Sequence, residues 1–383
     1  MTTETKNPIL RISLFNGVSK FMHQGVLFFL AVFLKDIGLS GLQIGTIFTC
    51  YFITGLISVL PSGISNDKFK SKHLLSISLI LLALQYLGLG TTKSFLPILF
   101  LFFLGGIGRY LYSTSMDSLL IRSTEKEGVH RKISTYLSFN YIMIGLGIIS
   151  AGYLLQINFP FEKLLTAIGI SFLILSLISL LILPSNKTAH FEVLKYSKDI
   201  IRPEVLFFLF IMFLFSIHFG AEETSYGLLL RNYFGLNNLN TGLYMGLCII
   251  TMALTVQIIG RKLSHVKAKN ILLFGTLLSG IGLIFTTLGN IPASFIFRII
   301  HETGDAAMFF FSIYGISKLF EMERIGGNTS MVTFVTIIGG SLGAFVFGQI
   351  GAKYGYNIPF IIGGITTLIA FLLTIKFTHL VKH

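Results

Sequence analysis

Twelve long apolar stretches, joined by short polar connections, constrain this chain more than any other feature. An apolar helix needs roughly 20 residues to cross the hydrocarbon core of a bilayer. The chain is 53% hydrophobic and only 12% charged, whereas soluble domains are roughly 25% charged. We therefore predict an all-α membrane protein with twelve transmembrane helices in the lipid bilayer. The stretches cover about residues 9–34, 42–63, 73–91, 95–121, 133–156, 162–184, 203–230, 239–260, 270–288, 292–320, 327–351 and 357–379.

The basic residues at the ends of these stretches and between them predict the orientation of the chain. If the N-terminus is inside and the spans alternate, the inner segments hold 21 lysines and arginines and the outer segments hold five. Cytoplasmic segments of membrane proteins carry such an excess. We expect both termini in the cytoplasm and the protein in the cytoplasmic (inner) membrane. Topology thus accounts for the net charge of +13, and we predict no nucleic-acid partner.

Seven landmarks of the first half of the chain recur 195 to 197 positions later. The pairs are Gly38 and Gly235, Gly45 and Gly242, Gly63 and Gly260, Lys70 and Lys267, Lys72 and Lys269, Pro97 and Pro292, and Gly145 and Gly340. This repeat predicts a six-helix bundle over residues 1–184, a cytoplasmic linker over 185–202 and a second six-helix bundle over 203–383. Parallel repeats of this kind occur in secondary transporters, where the substrate site lies between the halves near the bilayer midplane.

The segment between the second and third stretches resembles the signature loop of the major facilitator superfamily. It reads Gly63-Ile-Ser-Asn-Asp67-Lys68-Phe-Lys-Ser-Lys72, and Gly63, Asp67, Lys68 and Lys72 fit the family pattern, whereas Lys70 stands where the family usually has a small residue. The twelve spans and the duplication extend the resemblance over nearly the whole chain. It implies the major facilitator fold, with two pseudo-symmetric bundles and alternating access. It also implies an inner gate at this motif and a central cavity lined by the first, fourth, seventh and tenth spans.

Acidic and basic residues in the interiors of the apolar stretches, away from their ends, fall on those same four spans. Such residues are costly in a membrane, so they are usually paired, face water or carry function. On the first span, Lys20 and Gln24 share a polar face, and Lys20 lies roughly 16 Å deep at 1.5 Å per residue. On the fourth, Arg109 and Tyr112 share a face, and Arg109 resembles a basic residue of proton-coupled members. With Arg298 of the tenth span, these four residues are the predicted substrate-binding set, because arginine and lysine can hold an anionic group.

The seventh and tenth spans carry acids beside histidines. Gly220 and Gly227 bracket Glu222, which suggests a weakened helix, and the side chains of His218 and Glu222 are one turn apart and could share a proton. On the tenth span, Arg298 and Glu302 are spaced i,i+4, and so are His301 and Asp305. Carboxylates beside histidine in a low dielectric can exchange protons near neutral pH. The pairs on the tenth span could also be purely structural.

The predicted proton-coupling residues are therefore drawn from three spans. One of them, Asp117 on the fourth span, is equally suited to the inner gate. The full set is His218, Glu222, His301, Glu302, Asp305 and Asp117.

These features predict a secondary active transporter that moves a small polar or charged organic solute by alternating access, with protons as the coupling ion, as in a symporter. The chain is expected to act as a monomer without cofactor or metal. Its fifth stretch lacks the proline of the antiporter motif of drug exporters, which disfavours the alternative of multidrug or lipid efflux. A non-transporting membrane sensor is an alternative of another class. An enzyme is not predicted, because the sequence offers no nucleophile and base pair, metal-ligand cluster or phosphate loop.

Overall fold

A computed structural model describes residues 8–123, 129–184, 202–262, 268–319 and 325–377. These ranges hold twelve α-helices and no strand. The helices are α1 (Pro8–Asp36), α2 (Gly41–Lys68), α3 (Ser71–Leu89), α4 (Phe95–Arg122), α5 (Val129–Gln156), α6 (Phe161–Ile182), α7 (Pro203–Ala221), α8 (Asn238–Lys262), α9 (Ala268–Phe285), α10 (Ile291–Leu319), α11 (Ile325–Tyr354) and α12 (Ile358–Lys376). The chain continues from α7 through two π-helical segments, Glu222–Tyr226 and Leu229–Tyr233.

Ten of the described helices are long and apolar enough to cross a membrane. The other two are α9, whose apolar part is shorter, and α10, which carries Arg298, Glu302 and Asp305 within its length. The protein is therefore a multi-pass membrane protein. The charges that lower the hydropathy of α10 are buried against other helices, as the cost of charge in hydrocarbon requires.

Helix packing repeats between the two halves of the chain. In the first half α1 packs on α5, α2 on α4, and α3 on both α4 and α6. In the second half α7 packs on α11, α8 on α10, and α9 on both α10 and α12. Adding six to each helix number converts the first set into the second. This confirms the predicted fold of two pseudo-symmetric six-helix bundles.

The repeat is also visible in backbone conformation. Gly38 and Gly235, which follow α1 and the second π-helical segment, have φ values of 96° and 67°. Only glycine adopts this left-handed region without strain, so both turns depend on the missing side chain. Pro97 and Pro292 both fall in the first turn of their helices, α4 and α10, where proline is tolerated.

The halves meet along two pairs of small-residue surfaces. Gly45 of α2 lies against Gly348 of α11, and Gly152 of α5 lies against Gly242 of α8, so closely that an added Cβ would press on the partner backbone. Small residues at such crossings allow helix backbones to approach. An ion pair between Asp36 and Arg231, with Oδ2 and Nη1 2.6 Å apart, lies near the same end, beside the α1–α2 and α7–α8 connections. The bundles are therefore closed against each other at this end.

The segment with the signature motif is more helical than the sequence predicts. Helix α2 continues to Lys68, so Gly63 and Lys68 are helical, and only Phe69 and Lys70 connect α2 to α3. The extension is stabilised because Asn66 donates to Ser62 O at 2.9 Å and to Ser115 Oγ of α4 at 3.0 Å. The expectation of a loop over residues 63–72 was wrong in that respect. The predicted linker over 185–202 lies, apart from Arg202, outside the described residues.

Candidate functional site

Arg298 of α10 lies at the centre of a buried charge cluster. Its Nη2 is 2.5 Å from Glu222 Oε1 of the first π-helical segment and 2.5 Å from Glu302 Oε1, one turn along α10. The guanidinium also stacks over the Tyr226 ring, 4.2 Å from its centroid. Arg298 is 1% exposed and Glu302 is 2% exposed. Charges buried this deeply are stable only when paired, and the contacts with Glu222 and Tyr226 hold the first π-helical segment against α10.

Two histidines complete the cluster, and backbone carbonyls fix their orientation. Nδ1 of His218 contacts Phe215 O, and Nδ1 of His301 lies 2.9 Å from Ser279 O. A carbonyl oxygen can only accept, so each Nδ1 carries the donated proton. Each Nε2 then faces a carboxylate: His218 Nε2 is 3.1 Å from Asp305 Oδ2, and His301 Nε2 is 3.1 Å from Glu222 Oε1.

These two histidine–carboxylate contacts need additional protons. A neutral imidazole with its hydrogen on Nδ1 presents a lone pair at Nε2, and this lone pair would face the carboxylate lone pairs without a hydrogen between them. One added proton on either partner turns each contact into a hydrogen bond. With both histidines neutral, one guanidinium against three carboxylates leaves two negative charges. Two protons therefore satisfy both contacts and neutralise the cluster.

The sequence prediction of a proton shared between His218 and Glu222 differs from this geometry. The two residues are one turn apart, but His218 contacts Asp305, and Glu222 contacts Arg298 and His301. Each side chain pairs with a residue of α10 and not with a neighbour along its own helix, because His218 and Glu222 both point towards α10. The two pairs predicted within α10 are both present, Arg298 with Glu302 at 2.5 Å and His301 with Asp305 at 3.6 Å.

The cluster also contains the donor types that bind divalent cations. One ligand atom from each of His218, Glu222, His301 and Asp305 lies within 4.8 Å of the others. However, Arg298 already occupies the Glu222 oxygen, and the histidine–carboxylate distances of 3.1 Å are those of hydrogen bonds. The arrangement therefore fits protons better than a metal ion.

The π-helical segment Glu222–Tyr226 directs two neighbouring acids to different helices. Glu222 reaches Arg298 in the second half, whereas Glu223 Oε1 is 3.6 Å from Arg109 Nη1 on α4 in the first half. Gly220 and Gly227, whose positions suggested a weakened helix, pack against α11 and α1, respectively. Because π-helical turns occur often at functional sites, we regard this segment as the link between the charge cluster and the first half.

A cavity of about 290 Å³ lies between the halves. Its polar side comes from α1 and α4, which supply Ser19, Lys20, Arg109, Tyr110, Tyr112 and Ser113. Its aromatic surface includes Phe52 of α2, Phe172 of α6, Phe219 of α7 and Phe309 of α10, and α11 adds Thr333 and Thr336. Ligand pockets in proteins commonly have volumes of about 300–1,000 Å³, so this cavity suits a small solute.

Both cavity cations have partners on the cavity rim. Arg109 lies over the Tyr51 ring at 4.9 Å, near Phe52 and Tyr110, and forms the 3.6 Å ion pair with Glu223. Lys20 of α1 interacts electrostatically with Asp117 of α4. Asp117 is therefore separate from the cluster formed by the other predicted proton-coupling residues.

The predicted substrate-binding residues divide into two groups. Lys20, Arg109 and Tyr112 line the cavity. Gln24 is half-buried and does not line it, and Arg298 is enclosed in the charge cluster. In the signature motif, Lys72 Nζ donates to Leu180 O at 3.1 Å near the end of α6, and Lys68 is exposed. The side chain of Asp67 lies outside the described part of the chain.

The sequence assigned no role to His23, although it lies three residues after Lys20. His23 lines the cavity, with Nε2 3.2 Å from Tyr51 OH and Nδ1 2.8 Å from Tyr86 OH. The Tyr51 ring supports Arg109, so His23 positions the wall behind that cation. Its spacing from Lys20 was the one sequence signal for this role, because residues three apart share a helix face.

Comparisons with known proteins agree with this architecture. The sequence model of the Major Facilitator Superfamily matches residues 12–278 and 264–382, whereas no curated protein sequence matches the chain. A mutant of the nucleoside transporter NupG has a similar structure, with a TM-score of 0.77 and 14% identity over 97% of this chain and 99% of that chain.

Two further structures are similar. A bacterial homologue of the human lysosomal transporter Spinster, in an inward-facing and occupied conformation, gives a TM-score of 0.76 and 12% identity over 97% of this chain and 98% of that chain. The human organic anion transporter MFSD10 gives a TM-score of 0.70 and 14% identity over 96% of this chain and 99% of that chain. At these identities the likeness concerns the fold.

Proposed function

This chain belongs to the Major Facilitator Superfamily of membrane transporters, and from that premise we propose that it is a proton-coupled secondary transporter for a small polar or charged organic solute. The observation that carries the coupling proposal is the pair of histidine–carboxylate contacts, each of which needs one added proton. The cavity between the halves supports a small-molecule substrate, because two cations and several hydroxyl groups face a volume of about 290 Å³.

We propose the orientation from the distribution of basic residues. With both termini in the cytoplasm of an inner-membrane protein, the end closed by the glycine surfaces of α2, α11, α5 and α8 faces outward. The outer end of the cavity is then closed. Alternating access would separate Gly45 from Gly348 and Gly152 from Gly242, and would bring the inner ends together.

The two bundles, assigned to residues 1–184 and 203–383, act as the moving bodies in this proposal, and residues 185–202 connect them on the cytoplasmic side. The motif residues Gly63, Asp67, Lys68 and Lys72 serve as the inner gate. The bond from Lys72 to Leu180 O supports this role, since it ties the start of α3 to the end of α6 within one body. We propose that a monomer is sufficient, because the cavity lies within one chain.

The coupling mechanism follows from the position of the charge cluster beside the cavity. When Glu222 and His301 share a proton, their hydrogen bond keeps the π-helical segment against α10. Loss of that proton would leave a lone pair facing a carboxylate, so His301 would no longer hold the segment and Arg298 would be the remaining contact of Glu222 with α10. Glu223, the next residue, would then move relative to Arg109. Because Arg109 lines the cavity, the loss of the proton would alter the solute site.

Multidrug efflux is the weaker candidate because the cavity is small and carries two cations. A transporter of lipids or large drugs would need a larger apolar volume. A non-transporting sensor would retain the fold but show no solute flux, and the experiment below separates it from a transporter.

Uptake into proteoliposomes tests the proposal. Purified protein would be assayed with anionic, zwitterionic and cationic solutes, with and without an inwardly directed proton gradient. We expect one class to accumulate, and only with the gradient. Glu222→Gln, which changes one of the two histidine–carboxylate contacts, should abolish the gradient effect, whereas Glu162→Gln, in an exposed pair with Lys93, should not. Uptake that ignores the gradient would contradict proton coupling, and absence of uptake for every solute would favour a sensor.

A further inference from the structure

We infer that the solute is a small organic anion with a planar apolar part, of the chemical class of aromatic monocarboxylates. This inference rests on the proposed function, in that it takes the central cavity as the substrate site. The substrate class is inferred from two walls of that cavity, one with positive charge and one with aromatic rings.

The first wall selects for negative charge. Among the described residues that line the cavity, Lys20 and Arg109 are the cations, and none is an aspartate or glutamate. Their acidic neighbours, Asp117 and Glu223, lie outside the lining. A carboxylate in the cavity would therefore meet two positive groups at its surface, whereas an ammonium group would be repelled by both.

Arg109 also has unused hydrogen-bonding capacity. Its Nη1 is buried and has no hydrogen-bond partner among the described residues, since the 3.6 Å separation from Glu223 exceeds hydrogen-bond length. A buried donor without a partner is costly. A solute carboxylate would supply the acceptor, and arginine can bind it through two parallel hydrogen bonds.

Arg298 also has buried nitrogens without a hydrogen-bond partner among the described residues, Nε and Nη1, but it does not line the cavity and is therefore not part of the anion site. Both of its close carboxylate contacts are within the charge cluster, and the side chain is 1% exposed. This assigns anion binding to the first half of the chain and proton binding to the second.

The second wall selects for a flat apolar group. Phe219 of α7 and Phe309 of α10 stack with centroids 5.7 Å apart and planes 9° apart, and both line the cavity with Phe52 of α2. Aromatic faces favour offset or edge contacts with another ring. A cavity of roughly 150 Å³ is enough for benzene, so about 290 Å³ holds one ring with a carboxylate and a small substituent.

The aromatic wall adjoins the proton cluster. Phe219 follows His218, and their ring centroids are 4.4 Å apart, while Phe309 lies one turn after Asp305 on α10. A change in the His218–Asp305 contact would therefore shift the surface against which the ring packs. Phe219 and Phe309 would thus respond both to the solute and to protonation of the His218–Asp305 contact, as coupling requires.

Equilibrium binding without any gradient tests the substrate class. Purified protein in nanodiscs would be titrated calorimetrically with benzoate, benzamide, benzylamine and acetate. We expect benzoate to bind at least about tenfold more tightly than each of the others, as loss of a charge-assisted hydrogen bond or of ring burial predicts. Benzamide or benzylamine binding as tightly as benzoate would overturn the charge selection. Acetate binding as tightly as benzoate would overturn the ring selection.

Variants distinguish the two walls. Arg109→Gln should weaken benzoate and acetate equally, whereas Phe309→Leu should weaken benzoate and leave acetate unchanged. Matched controls are Lys93→Gln, in an exposed ion pair, and Phe100→Leu, which is 60% exposed on α4. Because no gradient is applied, benzoate binding without gradient-driven uptake would contradict proton coupling and leave this inference intact. Gradient-driven uptake of a cation alone would support proton coupling and contradict the inferred substrate class.

Discussion

Arg298 Nη2 and Glu222 Oε1, on α10 and the π-helical segment after α7, are 2.5 Å apart in a buried part of the second bundle. The same nitrogen contacts Glu302. One guanidinium thus restrains two carboxylates from different segments, and it does so beside the cavity between the halves. The stability of the second bundle therefore depends on the charge states of Glu222 and Glu302.

Arg298→Met should destabilise the protein strongly, because it leaves Glu222 and Glu302 buried without their cation. Loss of one partner from a buried ion pair costs about 3–5 kcal/mol. The measurement is thermal unfolding of the purified protein in detergent. Arg231→Met, which breaks the partly exposed pair with Asp36, should cost no more than about 1 kcal/mol. Equal shifts for both variants would show that the Arg298 contacts contribute little.

Glu222→Gln and Glu223→Gln should separate two functions of adjacent residues. Glu222→Gln removes the negative charge that faces His301 and Arg298 and leaves an amide that cannot take up the proton, so we expect gradient-driven accumulation to be lost while solute binding remains. Glu223→Gln frees Arg109, so we expect tighter binding of an anionic solute by about fivefold, the equivalent of about 1 kcal/mol for a partly exposed pair. Binding titrations and gradient-driven uptake, measured on both variants, test this assignment. The same phenotype in both would argue against separate roles.

The dependence of transport on pH should follow the histidines. Because each histidine–carboxylate contact needs an added proton, uptake should rise as the outer solution is acidified and fall as it is made alkaline. In His301→Gln the glutamine cannot carry the proton, so the pH dependence should flatten. His73→Gln, on α3 and outside the cluster, is the control and should keep the wild-type profile. Initial uptake rates at a series of external pH values provide the test.

Much of this arrangement could be predicted from the sequence, and some of it could not. The apolar stretches predicted the twelve helices and the repeat predicted two similar six-helix bundles, because span length and duplication are properties of the chain itself. The i,i+4 spacing predicted the Arg298–Glu302 contact for the same reason. Spacing along a helix does not identify the facing helix, so the contacts of Glu222 with Arg298 and of His218 with Asp305 were not foreseen.

Two local features were also missed for physical reasons. Helix α2 passes through the motif because Asn66 finds partners on its own helix and on α4, which the local sequence does not reveal. His23 was given no role because its hydrogen bonds go to Tyr51 and Tyr86, on two other helices.

The closed end of the molecule should open when its glycine contacts are blocked. Gly348→Val places a side chain against the backbone at Gly45, so the closed conformation should become unfavourable and transport should fail. Spin labels at Ile157→Cys and Asn240→Cys, on the two halves near this end, should give longer distances than in the otherwise unchanged protein. Gly289→Val is the control, because the nearest atom to an added Cβ there is Tyr233 Oη at 3.8 Å. Unchanged distances in Gly348→Val would contradict the proposed movement.

The central claim is that solute and protons move together through the His218–Asp305 and His301–Glu222 contacts. The most direct measurement uses proteoliposomes that contain a pH-sensitive dye, with an inward solute gradient and no initial pH difference. We predict that solute entry acidifies the lumen in the unmodified protein, and that His301→Gln still exchanges solute but greatly reduces the acidification. Solute entry without any change in luminal pH in the unmodified protein would contradict this account.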